Sequence, residues 1–334
     1  MAALCLTMLA LAFAAPALAD EPVTLKFGFT APATSYVNVY GAAPWTKEVE
    51  AASDGALKIQ LFPNNILGTV FNIYDRTVNG VVDLSFGTIG TVSGMFARSN
   101  VSNLPFVGED PYESSMALYR LYARGITADE FAAVKVLSLF TFSSAGLHST
   151  RPISSADDMK GVKLAAASKV VADALVLLGA VPITMAPAET YQAIQRGLVV
   201  GTNMSWPGTT VFKLPEVAKN HLEVPFGLAG AYIFMNKDAY ARLPDKAKAA
   251  IDKYSGEPLA RKLGKGGIEA DKHVIAQLKA QPDQAFTALS PAEKERWRKT
   301  LMPITEEWVK ATPDGAKVLA AFQEELVKAR AEPH

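Results

Sequence analysis

Apolar residues at Val23, Leu25, Phe27 and Phe29 alternate with other positions, and a period of two predicts a half-buried strand. Helical spacing follows from Trp45 to Ala52. Strand period returns at Leu57, Ile59 and Leu61, and Pro63-Asn64-Asn65 ends it with turn chemistry. A further helix is expected to run to Gly80, after which Val82, Leu84 and Phe86 alternate again. Strands that alternate with helices predict an α/β layer structure with a largely parallel sheet.

One pattern occurs twice. Tyr74 is followed by Gly80 and Val81-Val82-Asp83, and Tyr191, at the same spacing, by Gly197 and Leu198-Val199-Val200. In each copy a helix is expected to end at a glycine, which accepts the left-handed conformation just past a helix, with an apolar strand directly after it. Two copies of one helix-to-strand unit suggest two similar lobes. The last third of the chain reads as mostly helical. Ser290-Pro291-Ala292-Glu293 is a helix start with a serine cap, proline at the first position and glutamate at the third. Trp297, Leu301, Ile304 and Trp308 then share one face, and Pro303 is expected to kink it. Leu243-Pro244-Asp245 opens another helix toward Tyr254. No low-complexity linker divides the chain, so the lobes are expected to be joined by crossing strands and a shared helix.

Composition narrows the function. Met1 to Ala19 is uncharged and rich in Ala and Leu, and it ends in Ala17-Leu18-Ala19 before Asp20, the form of a secretory signal peptide cleaved after Ala19. The expected location is therefore the periplasm. Cys5, the single cysteine, lies inside that segment, so the mature chain has no disulfide, thiol nucleophile or cysteine metal site. Lys plus Arg and Asp plus Glu both number 33, which leaves no basic excess for nucleic acid. No later run is long and apolar enough to span a membrane.

Catalytic constellations are missing from the sequence. The histidines are His148, His221, His273 and His334, and none has a partner at metal-ligand spacing. Neither a G-x-S-x-G elbow nor an H-E-x-x-H motif occurs. Gly264-Lys265-Gly266-Gly267 lacks the strand and the full pattern of a phosphate loop and reads as a flexible or kinked helical segment. His148 and Ser149 are neighbours, which on a strand face opposite ways. Asp157-Asp158 after Ser154-Ser155 reads as helix-start chemistry. The chain is expected to be a binding protein rather than an enzyme, with no cofactor and no metal.

A family resemblance emerges at His148-Ser149-Thr150-Arg151-Pro152-Ile153 and Ser155-Ala156-Asp157-Asp158-Met159-Lys160-Gly161-Val162-Lys163. These segments resemble the solute receptors of tripartite ATP-independent periplasmic (TRAP) transporters, the dicarboxylate-receptor-like DctP family. Leu104-Pro105-Phe106, Leu178-Gly179-Ala180-Val181-Pro182, Tyr191 through Gly197 and Met235-Asn236-Lys237 match in order and spacing, and the resemblance covers the whole mature chain. It implies a two-lobed periplasmic binding protein fold with a ligand cleft between the lobes, crossing strands and a long inter-lobe helix. The lobes are placed at residues 20–141 with 229–268 and at 142–228 with 269–334. It further implies a receptor that encloses a small solute, by family default an organic acid, and delivers it to TRAP membrane permease subunits; the receptor itself is expected to be a monomer.

The chain departs from the family pattern after Gly161-Val162-Lys163-Leu164. The resemblance calls there for an arginine that pairs with the ligand carboxylate, and this chain has Ala165, followed by Ala166-Ala167. Arginine's planar fork suits a carboxylate, and alanine offers neither charge nor donor. Three ligands stay open: an acid held by Lys169 and backbone N–H groups, a neutral or aromatic solute walled by Trp206 and Tyr36, or a cation held by aromatic faces. Phe226, Asn64, Thr88, Ser143, Ser168 and Asn203 complete the candidate contacts. A receptor of the same build that serves a sensor kinase, and a periplasmic hydrolase or isomerase, are the competing functions.

Overall fold

A computed structural model describes residues 21–92 and 94–332. The expected signal segment therefore lies outside the described residues. Among the described residues eleven strands form two mixed sheets. In chain order they are β1 (Val23–Phe29), β2 (Leu57–Phe62), β3 (Leu84–Thr88), β4 (Val134–Thr141), β5 (Ala145–Ser149), β6 (Lys163–Ala166), β7 (Val181–Thr184), β8 (Gly201–Ser205), β9 (Asn220–Glu223), β10 (Gly230–Asn236) and β11 (Ala285–Thr287). The first sheet runs β2-β1-β3-β10-β4, and the second β7-β6-β8-β5-β9-β11. In each, three neighbouring strands run parallel, the fourth (β10 or β5) runs against them, and the fifth runs with the first three again; in the second sheet β11 continues parallel to β9. The sheets therefore share one order, and the largely parallel sheet expected from the sequence is instead mixed. The reason is topological: β5 and β10 each enter their sheet by a short crossing from the other lobe, which reverses their direction.

The repeated helix-to-strand unit occupies equivalent places in the two sheets. The helices Ile73–Val78 and Thr190–Gln195 end before Gly80 (φ 68°) and Gly197 (φ 70°). The N–H of Val81 donates to the Arg76 carbonyl at 2.8 Å and that of Leu198 to the Ala193 carbonyl at 2.9 Å, the same helix-end closure twice. Each strand starts four residues after its glycine, at Leu84 and Gly201, so Val81 and Leu198 stay outside the strands and half exposed. β3 and β8 then hold the same position between a parallel and an antiparallel neighbour.

Three connections cross between the lobes: β4 to β5, β9 to β10, and the helix Glu257–Lys279, which leads from the first lobe toward β11. Gly264-Lys265-Gly266-Gly267 lies inside this continuous helix. A Cβ on Gly264 would sit 2.9 Å from Tyr112 Cα, and one on Gly266 2.5 Å from Tyr40 Cβ. The glycines therefore let the helix press against its neighbours, a packing role in place of the flexible segment expected from the sequence. The first sheet carries a core of stacked aromatics, with Phe29 and Phe86 centroids 4.5 Å apart and Trp45 donating to Ser255 Oγ at 3.2 Å. Ser290 caps the helix Pro291–Ala311 by accepting from the Glu293 N–H at 3.1 Å. That helix packs on Lys169–Leu177 beside the second sheet. The last helix, Gly315–Arg330, packs on Pro111–Ala123 beside the first sheet, with Arg330 paired to Glu113 at 2.7 Å. Among the described residues no helix is long and apolar enough to cross a membrane.

Candidate ligand-binding cavity

A cavity of about 240 Å³ lies between the two sheets, beside the crossing strands. The first lobe contributes the turn after β1 (Thr30, Ala31, Pro32), Ser35 and Tyr36, and the end of β3 with Phe86 and Thr88. The second lobe contributes Ala165 through Ser168 at the end of β6, Thr202 through Ser205 on β8, and Val211 and Phe212 from the helix Trp206–Val211 and its cap. The crossings supply Phe142 and Ser143 on one side and Phe226 and Gly227 on the other.

Of the residues singled out from the sequence, Tyr36, Thr88, Ser143, Ala165, Ser168, Asn203 and Phe226 come together around this cavity. Three do not. Asn64 sits at the turn that ends β2, exposed, with φ 59° and its N–H donating to the Ala31 carbonyl at 3.0 Å. Lys169 begins the helix Lys169–Leu177, and its side chain is 82% exposed and paired with Asp173 at 2.5 Å. One helical turn separates Lys169 from Asp173, and that pairing holds the ammonium out in solvent. Trp206 is 3% exposed and turns away from the cleft, stacked on Phe286 at 5.7 Å and edge-on to His148 at 5.0 Å. Its place at the helix start, one step past β8, directs the indole behind the sheet.

The wall is neutral. Among the described residues that line the cavity there is no Lys, Arg, His, Asp or Glu. Several of its hydroxyls are already committed as donors. Thr30 Oγ1 donates to the Phe86 carbonyl at 3.1 Å, Thr91 Oγ1 to the Thr88 carbonyl at 2.8 Å, and Thr202 Oγ1 approaches the Asn203 carbonyl at 3.2 Å. These groups present lone pairs, not hydrogens, to an occupant. The Asn203 amide donates to the Gly146 carbonyl at 3.3 Å. Ser168 caps its helix, accepting from the Val171 N–H at 3.4 Å. The Tyr36 hydroxyl accepts from the Ser143 N–H at 3.0 Å, and burial pushes its pKa far up, so it stays a neutral phenol.

Phe86, Phe142, Phe212 and Met204 also line the apolar wall, and sequence reading passed over them as site residues. Phe86 was legible, because a strand that aims Thr88 at the cleft aims Phe86 there too. Phe142 and Phe212 lie at element ends, where no period assigns a direction. The histidine pair was also missed. His148 and His221 face each other across β5 and β9, with Nδ1 atoms 2.8 Å apart. His148 Nε2 lies 3.0 Å from the Met204 carbonyl and so carries the hydrogen, while His221 Nε2 lies 2.8 Å from Gln284 Oε1. Burial, and secondly the charge of His221, pushes the His148 pKa down to about 3.

Two lobes joined by three crossings around a cavity lined by uncharged residues define a solute receptor of the binding-protein class. Residues 27–311 match the bacterial extracellular solute-binding protein family 7, DctP, and the chain belongs to that family. The C4-dicarboxylate-binding periplasmic protein DctP of Rhodobacter capsulatus is 29% identical over 332 residues, 95% of each chain. A marine-metagenome TRAP solute-binding protein specific for aromatic acids, in complex with 3-hydroxybenzoate, aligns with TM-score 0.88 at 25% identity, covering 93% of this chain and 99% of that one. A TRAP solute-binding protein of Rhodoferax ferrireducens, with copurified benzoate, aligns with TM-score 0.87 at 26% identity over 92% and 98% of the two chains. The protein is a TRAP-type solute receptor, and its relatives are periplasmic binding proteins.

Proposed function

We propose that this receptor captures a compact, uncharged solute with a largely apolar body, about the size of a substituted benzene ring, and as a monomer delivers it to membrane permease subunits from the periplasm. The observation that carries this reading is the cavity wall without a charged side chain. A carboxylate enclosed there would lose its water and meet no cation, at a cost of several kcal/mol for the unpaired charge. A difference of about 1.4 kcal/mol is already tenfold in affinity. An uncharged isostere avoids that cost and uses the phenyl and methionine walls equally well.

A second reading, an aromatic acid, has a specific observation in its favour: the solved relatives of similar fold hold benzoate and 3-hydroxybenzoate. In this chain its carboxylate would depend on backbone N–H groups at the start of Lys169–Leu177, beside the cavity-lining Ser168. Isosteric probes separate the two readings. Benzamide and benzyl alcohol are expected to raise the melting temperature and to give measurable binding heats, with benzoate at least tenfold weaker. Benzoate or a C4-dicarboxylate binding tighter than every uncharged probe would overturn the uncharged reading and leave the acid reading in place.

A further inference from the structure

The first crossing between the lobes is held from four directions. The Phe142 N–H donates to the Ala229 carbonyl of the other crossing at 2.9 Å, and the Ser143 N–H to the Tyr36 hydroxyl at 3.0 Å. The Ser144 carbonyl accepts from the Trp206 N–H of the second lobe at 3.2 Å. The fourth tie comes from the inter-lobe helix. Asp271 Oδ2 accepts from the Ser144 N–H at 2.9 Å and from Ser144 Oγ at 2.5 Å. One carboxylate thus joins the third connection to the first, next to two residues of the cavity wall.

Asp271 is 7% exposed. The groups that act on it are the Ser144 and Ser143 hydroxyls, the Ser144 N–H and Glu223, with no cation among them. Behind it an open groove carries Glu109, Asp110, Glu223, Lys272 and Lys279, and Lys272 is paired with Glu269 at 3.0 Å. A buried carboxylate with no positive partner is held by hydrogen bonds alone, so those bonds set the local geometry.

We infer that Asp271 is a positioning residue for solute capture: by clamping Ser144 it fixes the crossing in the conformation that presents Ser143 and Tyr36 to the cavity. The inference rests on the proposed capture function for its consequence, whereas the clamp itself is measurable without a solute. Burial pushes the Asp271 carboxyl up to about 6, against the lowering by the serine hydroxyls and the Ser144 N–H, while Glu223 raises it further. The clamp is therefore ionised at pH 7.5 and loses its charge as pH falls through about 6.

The test uses the full chain with Asp271→Ala and Asp271→Asn. Amide-exchange protection of Ser143 and Ser144 is measured by NMR between pH 5 and 8, together with the inter-lobe distance distribution from paired spin labels. In Asp271→Ala the Ser144 protection factor is expected to fall at least tenfold at pH 7.5 and the distance distribution to broaden. Asp271→Asn keeps an oxygen acceptor for the Ser144 N–H and is expected to keep most of the protection at pH 7.5. It should lose the fall in protection that the natural chain shows below pH 6. Protection within twofold of the natural chain in Asp271→Ala would overturn the inference, as would an Asp271→Asn profile with the same pH dependence. If Asp271→Ala does not fold, the Asp271→Asn profile decides alone. Calorimetry with benzamide runs in parallel. No heat with the natural chain counts against the uncharged-solute reading and leaves the clamp standing or falling on exchange.

Discussion

Replacing Ala165 with arginine supplies a guanidinium where the sequence resemblance leads us to expect one, and on the proposed reading the expected outcome is a switch in ligand charge. Ala165 is 1% exposed on β6, paired with Ile183 and Thr202, and it packs with Met185, Met204 and Phe212, which also line the cavity. An arginine there points its head among uncharged walls. With no solute, that buried unpaired charge costs about 3–5 kcal/mol. The melting temperature should then fall by on the order of 10 °C. Benzoate supplies the missing partner. Two charge-assisted hydrogen bonds, each worth about 1.5–3 kcal/mol, raise benzoate affinity by about 10²–10⁴-fold over the natural chain. Benzamide gains nothing from the guanidinium and loses space to it, so its affinity falls. The assay is calorimetric titration of both chains with both compounds, with thermal melts to follow recovery of stability. A natural chain that prefers benzoate, with an Ala165→Arg variant weaker for both compounds, would refute the idea that this position is an empty cation seat.

Lys169→Ala is expected to leave the affinity for benzoate and benzamide unchanged within twofold by calorimetry, because its side chain is 82% exposed and paired with Asp173. Gly264→Ala should destabilise by about 1–3 kcal/mol in urea unfolding, although alanine is normally the better helix former by about 1 kcal/mol. The added Cβ would lie 2.9 Å from Tyr112 Cα, which only backbone movement relieves. Acid should weaken the fold through His148. Its folded pKa, about 3, lies below the unfolded value, so stability present above pH 6.5 is lost as pH falls. The loss is about 2 kcal/mol by pH 5. Comparison of urea midpoints at pH 7 and 5 between the natural chain and His148→Asn isolates this loss, and an equal midpoint shift in the two chains would exclude it. Asp271 acts in the opposite sense, since its raised pKa makes its ionisation unfavourable to the fold between pH 4 and 6.

The sequence carried the layered α/β plan and the repeated unit because both rest on local signals. Gly80 and Gly197 end helices at matching places, and alternation at Leu84 and Phe86 marks a strand wherever it is placed. It did not carry the strand directions. β5 and β10 are antiparallel to their neighbours because the chain crosses between lobes, and no residue within those strands records where the preceding strand lay. The candidate site divides the same way. Residues on strands or directly after them, such as Thr88, Ala165 and Asn203, could be aimed by period, and they line the cavity. Trp206 and Lys169 each open a helix, where the chain turns by an angle that period does not specify, and both point elsewhere. The His148–His221 pair depends on the register of two strands far apart in sequence and left no local trace.

The absence of a cation at position 165 and the presence of Asp271 act in the same direction. Absence alone would make the cavity indifferent to ligand charge apart from the desolvation cost, which is similar for an anion and a cation. Asp271 breaks that symmetry. Its charge is felt at the cavity wall, where it adds to burial in raising the pKa of Tyr36 and so disfavours a second negative charge beside that hydroxyl. The committed hydroxyls of Thr30, Thr91 and Thr202 add lone pairs of the same sign. On the proposed reading a carboxylate meets no cation and an opposing field, with only hydroxyl hydrogens such as those of Tyr36 and Ser168 left to it, whereas an uncharged amide or alcohol uses both these donors and the acceptors already in place. The preference for an uncharged solute, on the proposed reading, rests on this combined field and not on a single alanine.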